Sequence, residues 1–506
     1  MFKFHRRDFL VSAAGLALAG PALAQKKGGV LKVSANANPS SLDPTTGGSG
    51  SDHSFLYPIF DTLIDFEPAT LKALPGLAES WSNPDPTTLV LNIRAGVTFH
   101  DGTPLDAAAV KFNLDRARTD QRSNIKGDLV TVDSVEVSGP QQVTIRLKQA
   151  DSALLLILSD RAGMMSSPKA VQELGKDYDR KPVGAGPMKF VSWNDNEKVT
   201  YAHYDKYWKP AQSHLDGLEM NVIPEINTAL RAVVANQNDF VYFLSPQQKQ
   251  LVDRAKNLTA ISGPTLYCVM VFLNFSKAPL DNPKVRQALN FATDRESFAK
   301  ATMAGLSEVA TTVLPKAHWA YDPSLENFYK YDPDKAKALL AEAGHKDGLE
   351  LHLIGYTDQR QQQRQEVLQE MWRKVGIKLR FSTFNIPEGS AAFFSKTEGN
   401  GLLSQWTGRP DPSLTFTLLY GKGSYFNAGR QEATPEITKA LADSRASAEL
   451  DARKKAFSVL QKQVLEQALS VPLLFQFELD AHSTKVKGFQ PNLLGKPRFN
   501  GVWLDG

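Results

Sequence analysis

The chain has 506 residues, of which 42% are hydrophobic and 22% are charged, and its formal net charge is +4 at pH 7. This composition is ordinary for a globular protein, and the small net charge gives no reason to expect nucleic acid or an anionic membrane as a partner. Cys268 is the only cysteine. A single cysteine excludes an internal disulfide and any zinc or iron–sulfur site that needs several cysteines.

The first 24 residues have the features of an export signal. Arg6 and Arg7 precede an apolar stretch at residues 11–19, and small residues lead to Ala24, after which we expect cleavage. The apolar stretch is about half of the roughly 20 residues that span a bilayer, so a signal peptide is favoured over the alternative of a permanent membrane anchor.

The arginine pair also bears on the export route. Arg6 and Arg7, followed by Asp-Phe-Leu at residues 8–10, resemble the twin-arginine signal. An ordinary secretory signal that contains two arginines is the alternative. No cysteine lies near the cleavage point, which favours a soluble periplasmic protein over a lipid-anchored one.

The remaining ~480 residues are too many for one compact core, so we expect two or three domains. Strand and helix patterns alternate along the whole chain, which indicates an α/β fold. In chain order, the patterns predict a strand at 30–34, a helix at 56–63, strands at 88–94 and 98–100, a helix at 106–118, a hairpin of 132–137 with 142–147, an apolar strand around Cys268, helices at 284–298 and 334–343, a helix at 361–375 with a strand at 376–381, and a helix at 450–467 with a strand at 471–475.

Four blocks in this order carry a resemblance to a known family. They are Leu-Ala-Glu-Ser-Trp at 77–81 with 91–105 and 110–112, Pro-Val-Gly-Ala-Gly-Pro-Met-Lys-Phe at 182–190 with 204–208, residues 282–289 with 294–295, and residues 331–339. The blocks resemble the extracellular solute-binding proteins of ABC importers, family 5, the peptide, dipeptide and nickel type. In physical terms the blocks themselves are expected to be scaffold, with Arg286 and Arg295 satisfying helix ends or buried carboxylates.

The resemblance implies an α/β protein of two lobes joined by a hinge, with an extra subdomain inserted in the first lobe (the cluster C type). We therefore expect a signal peptide at 1–24, a first lobe at 25–265 containing the inserted subdomain at about 60–180, a second lobe at 266–475, and a C-terminal return to the first lobe at 476–506.

The resemblance also implies the function. We expect a monomeric periplasmic component of an ABC importer that captures a peptide or peptide-like solute by lobe closure and passes it to permease subunits in the inner membrane. An opine or a nickel chelate is the alternative solute. No cofactor and no nucleic-acid partner are expected. No bound metal is expected either, because the histidines are scattered without the spacing of a ligand pair on a helix.

A secreted hydrolase is the distant alternative. The chain has no His-Glu-x-x-His zinc helix, no Gly-x-Ser-x-Gly nucleophile elbow and no phosphate loop. Cys268 lies in an apolar segment, where an inert buried thiol is expected. We therefore expect a binding protein without catalytic residues.

The candidate ligand residues come mainly from the resemblance. Dipeptide-binding relatives hold the ligand ammonium with an aspartate after a Trp-Thr-Gly segment, which here begins at Trp406. Arg409 stands at that position, and Asp411 follows two residues later. An arginine there would hold a carboxylate or another anion instead of an ammonium, so an additional anionic group on the solute is expected. Pairing of Arg409 with a neighbouring acid is the structural alternative.

Six further residues are candidates for the cleft. In relatives a carboxylate-binding arginine precedes a helix like that at 361–375, where this chain offers Arg360 and Arg364, although a solvated arginine at the helix start is the alternative. Aromatic rings commonly complete such pockets, which adds Tyr267 and Tyr425 beside Trp406, with core packing as the alternative for each. The remaining candidates lie in loops near the first strand, and they are Asn38 and His53.

Overall fold

The computed structural model describes residues 27–505, which form a mixed α/β fold. The export signal expected at residues 1–24 lies outside the described residues. None of the helices within 27–505 is long and apolar enough to cross a membrane.

The strands of the described residues fall into one large sheet and three small ones. In chain order they are Val30–Ala35 (β1), Ile64–Phe66 (β2), Ala73–Pro75 (β3), Ala78–Asp85 (β4), Thr88–Ile93 (β5), Val132–Gly139 (β6), Gln142–Leu147 (β7), Met188–Asn194 (β8), Lys198–His203 (β9), Gly217–Val222 (β10), Phe240–Val241 (β11), Leu258–Leu273 (β12), Ser307–Val309 (β13), Leu349–Tyr356 (β14), Ile377–Phe384 (β15), Gly401–Trp406 (β16), Ser470–Ser483 (β17), Val486–Lys487 (β18) and Trp503–Leu504 (β19).

The helices pack on the faces of these sheets. In chain order they are His53–Leu56 (α1), Ala107–Thr119 (α2), Leu154–Ile157 (α3), Pro168–Leu174 (α4), Ile226–Val234 (α5), Lys249–Arg254 (α6), Pro283–Phe291 (α7), Arg295–Met303 (α8), Pro333–Glu342 (α9), Gln359–Arg373 (α10), Ile386–Ser390 (α11), Pro412–Tyr420 (α12), Pro435–Ala446 (α13) and Leu450–Glu466 (α14).

The large sheet is built around two long antiparallel strands, β12 and β17. Its order is β15-β14-β16-β12-β17-β11-β1-β10-β9-β8, with β13 also paired to β17. The pairing of β12 with β17 shifts register between Pro264 and Cys268. In the part of the ladder that contains the N-terminal half of β12, β17 also pairs with β11. In the part that contains the C-terminal half of β12, from Cys268 onward, β12 also pairs with β16. The same two strands therefore serve both halves of the molecule.

We call the half that contains β11, β1, β10, β9 and β8 the first lobe, together with the separate four-stranded sheet β4-β5-β7-β6 that is inserted in it. The half that contains β16, β14 and β15 is the second lobe. The four-stranded sheet has its own apolar core with helix α2, which includes Leu91, Val110 and Ile145. The domain boundaries expected from the sequence stay a prediction.

Two of the sequence blocks pack against each other, as expected of scaffold. The backbone N–H of His100 donates to the carbonyl of Gly184 at 2.9 Å, and its Nε2 donates to the carbonyl of Gly186 at 3.0 Å. The hydroxyl of Tyr204 donates to the carbonyl of Phe99 at 2.9 Å. These bonds join the insertion to the start of β8.

The arginines of the third block are also structural. Arg286 donates to the backbone carbonyls of Leu280 and Gln467, at 2.7 Å to each. Arg295 donates to the carbonyl of Pro472 at 2.8 Å and to Asn290 Oδ1 at 2.8 Å. Both side chains are buried, and burial lowers the pKa of each to about 10. Both arginines therefore donate hydrogen bonds to backbone carbonyls at the places where helices meet β17.

Most of the predicted elements are present, but three predictions were wrong. The helix expected at 56–63 ends at Leu56, because Pro58 follows and cannot continue the hydrogen bonding. The strand expected at 98–100 is a single bridge between Thr98 and Pro104. The helix expected at 284–298 is divided into α7 and α8, because Asp294 caps a new helix by accepting from the N–H of Ser297.

An ion pair connects the inserted sheet to the second lobe. Asp151, which follows β7, accepts two hydrogen bonds from Arg445 of α13, at 2.8 and 2.5 Å. The Asp151 side chain is fully buried and that of Arg445 is 16% exposed. The N–H of Ser152 also donates to the carbonyl of Arg445 at 3.0 Å. Two parallel charge-assisted bonds of this kind fix a geometry as well as contributing energy, so the pair holds the lobes together.

Replacement of this arginine is expected to open the molecule. Arg445→Ala leaves the buried Asp151 carboxylate without its partner, which costs the closed form about 3 to 5 kcal/mol. Small-angle scattering of the unliganded protein should then give a larger radius of gyration. Lys439→Ala, which removes an exposed pair with Asp443 on the same helix, is the control and should leave the radius unchanged. Identical curves for the two variants would contradict this role.

Two buried acids, Glu478 and Asp480, lie on β17 with one residue between them. Asp480 Oδ1 accepts from the N–H of Phe243 at 3.2 Å, whereas Glu478 Oε2 has no hydrogen-bond partner among the described residues. Burial raises the pKa of Asp480 from 3.8 to about 7. Burial and the neighbouring Asp480 raise the pKa of Glu478, and Arg360 opposes that shift. The folded protein therefore retains protons here that the unfolded chain has released.

This pair should make stability depend on pH. Between about pH 4 and pH 7 the folded state holds a proton that the unfolded state lacks, so the free energy of unfolding falls as pH rises. Glu478→Gln removes one of the coupled acids and should raise the melting temperature more at pH 8 than at pH 5. Thermal unfolding across this range tests it, with Glu173→Gln on an exposed helix face as control. An unchanged pH dependence in Glu478→Gln would contradict the assignment.

Candidate functional site

A cavity of about 510 Å³ lies between the two lobes. Its wall is formed by residues 48–51, 53, 54, 124, 125, 128, 157, 160 and 161 of the first lobe, 407–410 and 414 of the second lobe, Phe243 and Tyr267 beside the long strands, and Leu494 and Lys496 near the C-terminus. A volume of this size suits a small organic molecule. The wall is drawn from both lobes, so a bound molecule would contact both.

One side of the cavity is a polar loop held in place by an arginine. The terminal nitrogens of Arg161 donate to the backbone carbonyls of Gly47 and Ser49. Arg161 also lies 3.4 Å from the buried carboxylate of Asp52. The loop is therefore rigid, and the positive charge of Arg161 is fixed at its base.

His53, Asp160 and Lys496 form a connected group in the wall. His53 Nε2 lies 2.6 Å from Asp160 Oδ1 and 3.2 Å from Lys496 Nζ, and its Nδ1 lies 3.0 Å from the carbonyl of Gly50. Burial lowers the pKa of His53 to about 4. The neutral ring has one N–H, so it can donate to Gly50 or to Asp160 but not to both. The 2.6 Å contact requires the proton on Nε2, because an Nε2 lone pair would face another acceptor, the Asp160 carboxylate.

Burial has opposite effects on the two charged members of this group. Burial alone would raise the pKa of Asp160, but His53, Lys496 and Arg161 outweigh it and hold that pKa well below the usual range. Burial lowers the pKa of Lys496 to about 8, against the attraction of Asp160 and with the repulsion of Arg161, Arg409 and Arg498. Asp160 is thus a permanent anion, and Lys496 is mostly charged at neutral pH.

Arg409 enters the cavity from a sharply turned loop after β16. Gly408 has a φ of +73°, and a Cβ there would lie 2.3 Å from the side chain of Leu266, so only glycine fits. The Arg409 guanidinium stacks on Trp406 at 4.8 Å, and its Nη1 donates to the carbonyl of Gly408 at 2.6 Å. Trp406 is itself held by a bond to Thr415 Oγ1 at 3.3 Å. The remaining guanidinium N–H groups make no hydrogen bond within the described residues.

The charges in the wall favour an anion. Among the described lining residues, Arg161, Arg409 and Lys496 are cations, and Asp128 and Asp160 are acids. Burial lowers the pKa of Arg409, and the two acids oppose that shift. Arg161 also lies 3.4 Å from the buried carboxylate of Asp52, so Arg409 and Lys496 are the cations of the wall that are available to the carboxylates of a solute.

Four of the residues predicted from the sequence come together here. Arg409, Tyr267 and His53 line the cavity, and Trp406 lies behind Arg409 as its stacking support. Tyr267 OH donates to the carbonyl of Gly495 at 3.4 Å, which joins the hinge strand β12 to the C-terminal segment.

Asp411 has a structural role in the second lobe. This side chain is fully buried, caps α12 by accepting from the N–H of Ser413, and pairs with Arg453 at 2.8 and 2.9 Å. It is fully buried by these contacts and does not line the cavity, so the structure places it away from a bound solute.

The two arginines of α10 also lie away from the cavity wall. Arg364 is 1% exposed and donates to Gln476 Oε1 at 3.2 Å, beside Met303. Arg360 is half-buried and faces Glu478 of β17. Both therefore act on the hinge strand rather than on the cavity.

Two further candidates have other contacts. Tyr425 is 44% exposed and packs on Phe394 and Arg430. Asn38 accepts from Trp193 Nε1 and from the N–H of Asn196, each at 3.1 Å. Neither residue lines the cavity.

Sequence reasoning missed four charged residues of the wall, Arg161, Asp160, Asp128 and Lys496. Asp160 and Arg161 stand as a charged pair inside the apolar run 153–165, a pattern that indicates buried ions. Nothing comparable distinguishes Lys496 or Asp128, which lie in polar segments far apart in the chain.

Within residues 27–505, no group of three or more His, Cys, Asp or Glu side chains could hold a metal ion.

Comparison with known proteins places these observations in a family. Residues 72–427 match the family described as bacterial extracellular solute-binding proteins, family 5 Middle. The glutathione-binding protein GsiB of Salmonella paratyphi A is 29% identical over 500 residues, which cover 95% of each chain.

Solved structures have the same fold at low sequence identity. The periplasmic binding protein DppA from Helicobacter pylori, in complex with the peptide STSA, has a TM-score of 0.81 at 23% identity, covering 95% of this chain and 99% of that one. NikZ from Campylobacter jejuni, in complex with Ni(L-His), has a TM-score of 0.77 at 23% identity, covering 93% and 97%. One fold thus holds a peptide in one protein and a nickel complex in another.

Proposed function

The chain belongs to the bacterial extracellular solute-binding proteins of family 5, and from that premise we propose that it is the substrate-binding component of an ABC importer for a peptide-like anionic solute. The observation that carries the choice of solute is the cavity between the lobes, where Arg409 presents unpaired guanidinium N–H groups beside Lys496 and Arg161. A carboxylate is the group that such donors bind best.

Glutathione is the most informative solute to test first. It is a tripeptide with two carboxylates and one ammonium, so its net charge is −1 near pH 7, and its carboxylates can meet the two available cations, Arg409 and Lys496. The relative GsiB is named for this ligand. A peptide of this length also matches the cavity volume of about 510 Å³.

Lobe closure links solute binding to transport. Contacts that a solute makes with both lobes at once stabilise the closed form relative to the open one, and the permease would recognise that form. We place the protein in the periplasm as a monomer, delivered by the export signal and working with permease subunits of the inner membrane. The name of the H. pylori protein, a periplasmic binding protein associated with an ABC transporter, supports this placement.

Other functions have less support. The three cationic side chains of the wall would repel a cationic nickel complex, whereas they would attract the carboxylates of an opine. Catalysis by Cys268 is disfavoured, because burial in β12 raises the pKa of its thiol. An opine is therefore the second solute class to include in a screen.

The function is tested by a ligand screen on the purified protein. Glutathione should raise the melting temperature in proportion to the logarithm of its concentration over Kd, whereas a tripeptide amide without a C-terminal carboxylate and Ni(L-His) should not. Arg409→Ala should weaken glutathione binding by about 10- to 100-fold, since a charged hydrogen bond contributes about 1.5 to 3 kcal/mol.

Arg373→Ala is the matched control for that variant, because Arg373 lies on the surface of the same lobe and pairs only with Glu370 among the described residues. It should bind glutathione as the wild type does. Absence of stabilisation by glutathione and by an opine, together with hydrolysis of a peptide, would overturn the proposal.

Affinity for the anion should also fall as pH rises above about 8. Lys496 has a pKa of about 8 and is charged below it, so its attraction for a carboxylate is present at pH 7 and is lost by pH 9.5. Calorimetric titration with glutathione at these two pH values measures the change, which should be smaller in Lys496→Met. The amine of glutathione titrates in the same pH range, so the change measured with Lys496→Met gives the contribution of the ligand amine and is subtracted from that of the wild type. The same pH dependence in both proteins would contradict the role of Lys496.

A further inference from the structure

One carboxylate in the cavity has no hydrogen-bond or ion-pair partner among the described residues. Asp128 lies on the short 3-10 helix Lys126–Leu129, in the inserted part of the first lobe. Its side chain forms no hydrogen bond and no ion pair with any of residues 27–505. A carboxylate prefers to accept several hydrogen bonds, so Asp128 has its full capacity available to a molecule in the cavity.

The other acid of the wall is already occupied. Asp160 Oδ1 lies 2.6 Å from His53 Nε2 and accepts from the backbone N–H of Arg161 at 2.9 Å. Lys496 adds its charge to the same group. A positively charged group of a solute would gain little at Asp160, because three partners already compensate that carboxylate.

The surroundings of Asp128 indicate a site for a cation. Asp128 is an exposed residue that lines the cavity between the lobes. Desolvation by the wall, together with Asp160, raises the pKa of Asp128 to about 6, against the attraction of Arg409 and Arg161. The carboxylate is thus charged but under-compensated at pH 7, and a bound ammonium would supply the missing positive charge.

Arg409 stands on the other lobe with the opposite charge. It interacts with Asp128 through space, but the two do not form an ion pair. Both residues line the cavity, so a solute in it can contact the two side chains at once.

We propose that Asp128 binds a primary ammonium group of the solute while Arg409 binds one of its carboxylates. The solute is recognised as a zwitterion, with its ammonium held by the first lobe and a carboxylate by the second. A second carboxylate is then available to Lys496, since the terminal nitrogens of Arg161 already donate to Gly47 and Ser49. This inference rests on the proposed function and names the solute class: small peptide-like molecules with one free ammonium and two carboxylates.

The test compares glutathione with N-acetylglutathione, in which the ammonium is replaced by a neutral amide. Calorimetric titration of the wild type at pH 7 should show that acetylation weakens binding by about 10- to 100-fold, the effect of one charge-assisted hydrogen bond. In Asp128→Asn the two ligands should bind within about threefold of each other, because the variant has lost the group that distinguishes them.

Asp133→Asn is the matched control. Asp133 is an exposed acid of the same inserted sheet and does not line the cavity, so this variant should discriminate as the wild type does. The melting temperature of unliganded Asp128→Asn should be at least that of the wild type, since the substitution breaks no internal hydrogen bond or ion pair and removes an under-compensated charge.

Three outcomes would overturn the inference, and they are distinguishable. Equal affinity of the wild type for both ligands would show that no ammonium site exists. Undiminished discrimination in Asp128→Asn would place the ammonium at another acid, with the proposed function intact. Failure of the wild type to bind either ligand would exclude glutathione as the solute and overturn this inference, whereas the proposed function would then be decided by the opine in the ligand screen.

Discussion

The antiparallel ladder of β12 and β17 is the constraint on which the rest of the structure depends. Both strands run through both lobes, and each lobe adds its own strands to one part of the ladder. The register shift between Pro264 and Cys268 separates these parts. The cavity opens beside this point, with Phe243 and Tyr267 on its wall. A hinge of hydrogen-bonded strands allows the lobes to rotate while their cores remain intact.

Polar groups near the ladder have two distinct tasks. Those that fix the structure are paired internally, as in Asp151 with Arg445 between the lobes and Asp411 with Arg453 within the second lobe. Those that face the cavity retain unused capacity, as in Arg409 and Asp128. A buried or enclosed charge without a partner costs stability, and at a binding site that cost is offset only when the solute arrives. The arrangement therefore couples solute binding to closure.

The sequence predicted the fold better than it predicted the site. The four blocks identify a fold of two lobes, and their scaffold role is visible in the bonds of His100 and Arg295. In the site, Arg409 could be found because it replaces an acid beside a recognisable Trp-Thr-Gly segment. Asp411 could not be judged, because its partner Arg453 is 42 residues away in the chain. Lys496 and Asp128 were missed for the same physical reason: only the folded chain brings their segments together.

The most direct test of this account is a crystal structure of the protein with glutathione. The account predicts closed lobes with the tripeptide in the cavity of about 510 Å³, one carboxylate within hydrogen-bond distance of Arg409, and the ammonium beside Asp128. Glutathione bound outside this cavity, or inside it with a carboxylate turned toward Asp128 and away from Arg409, would contradict the account.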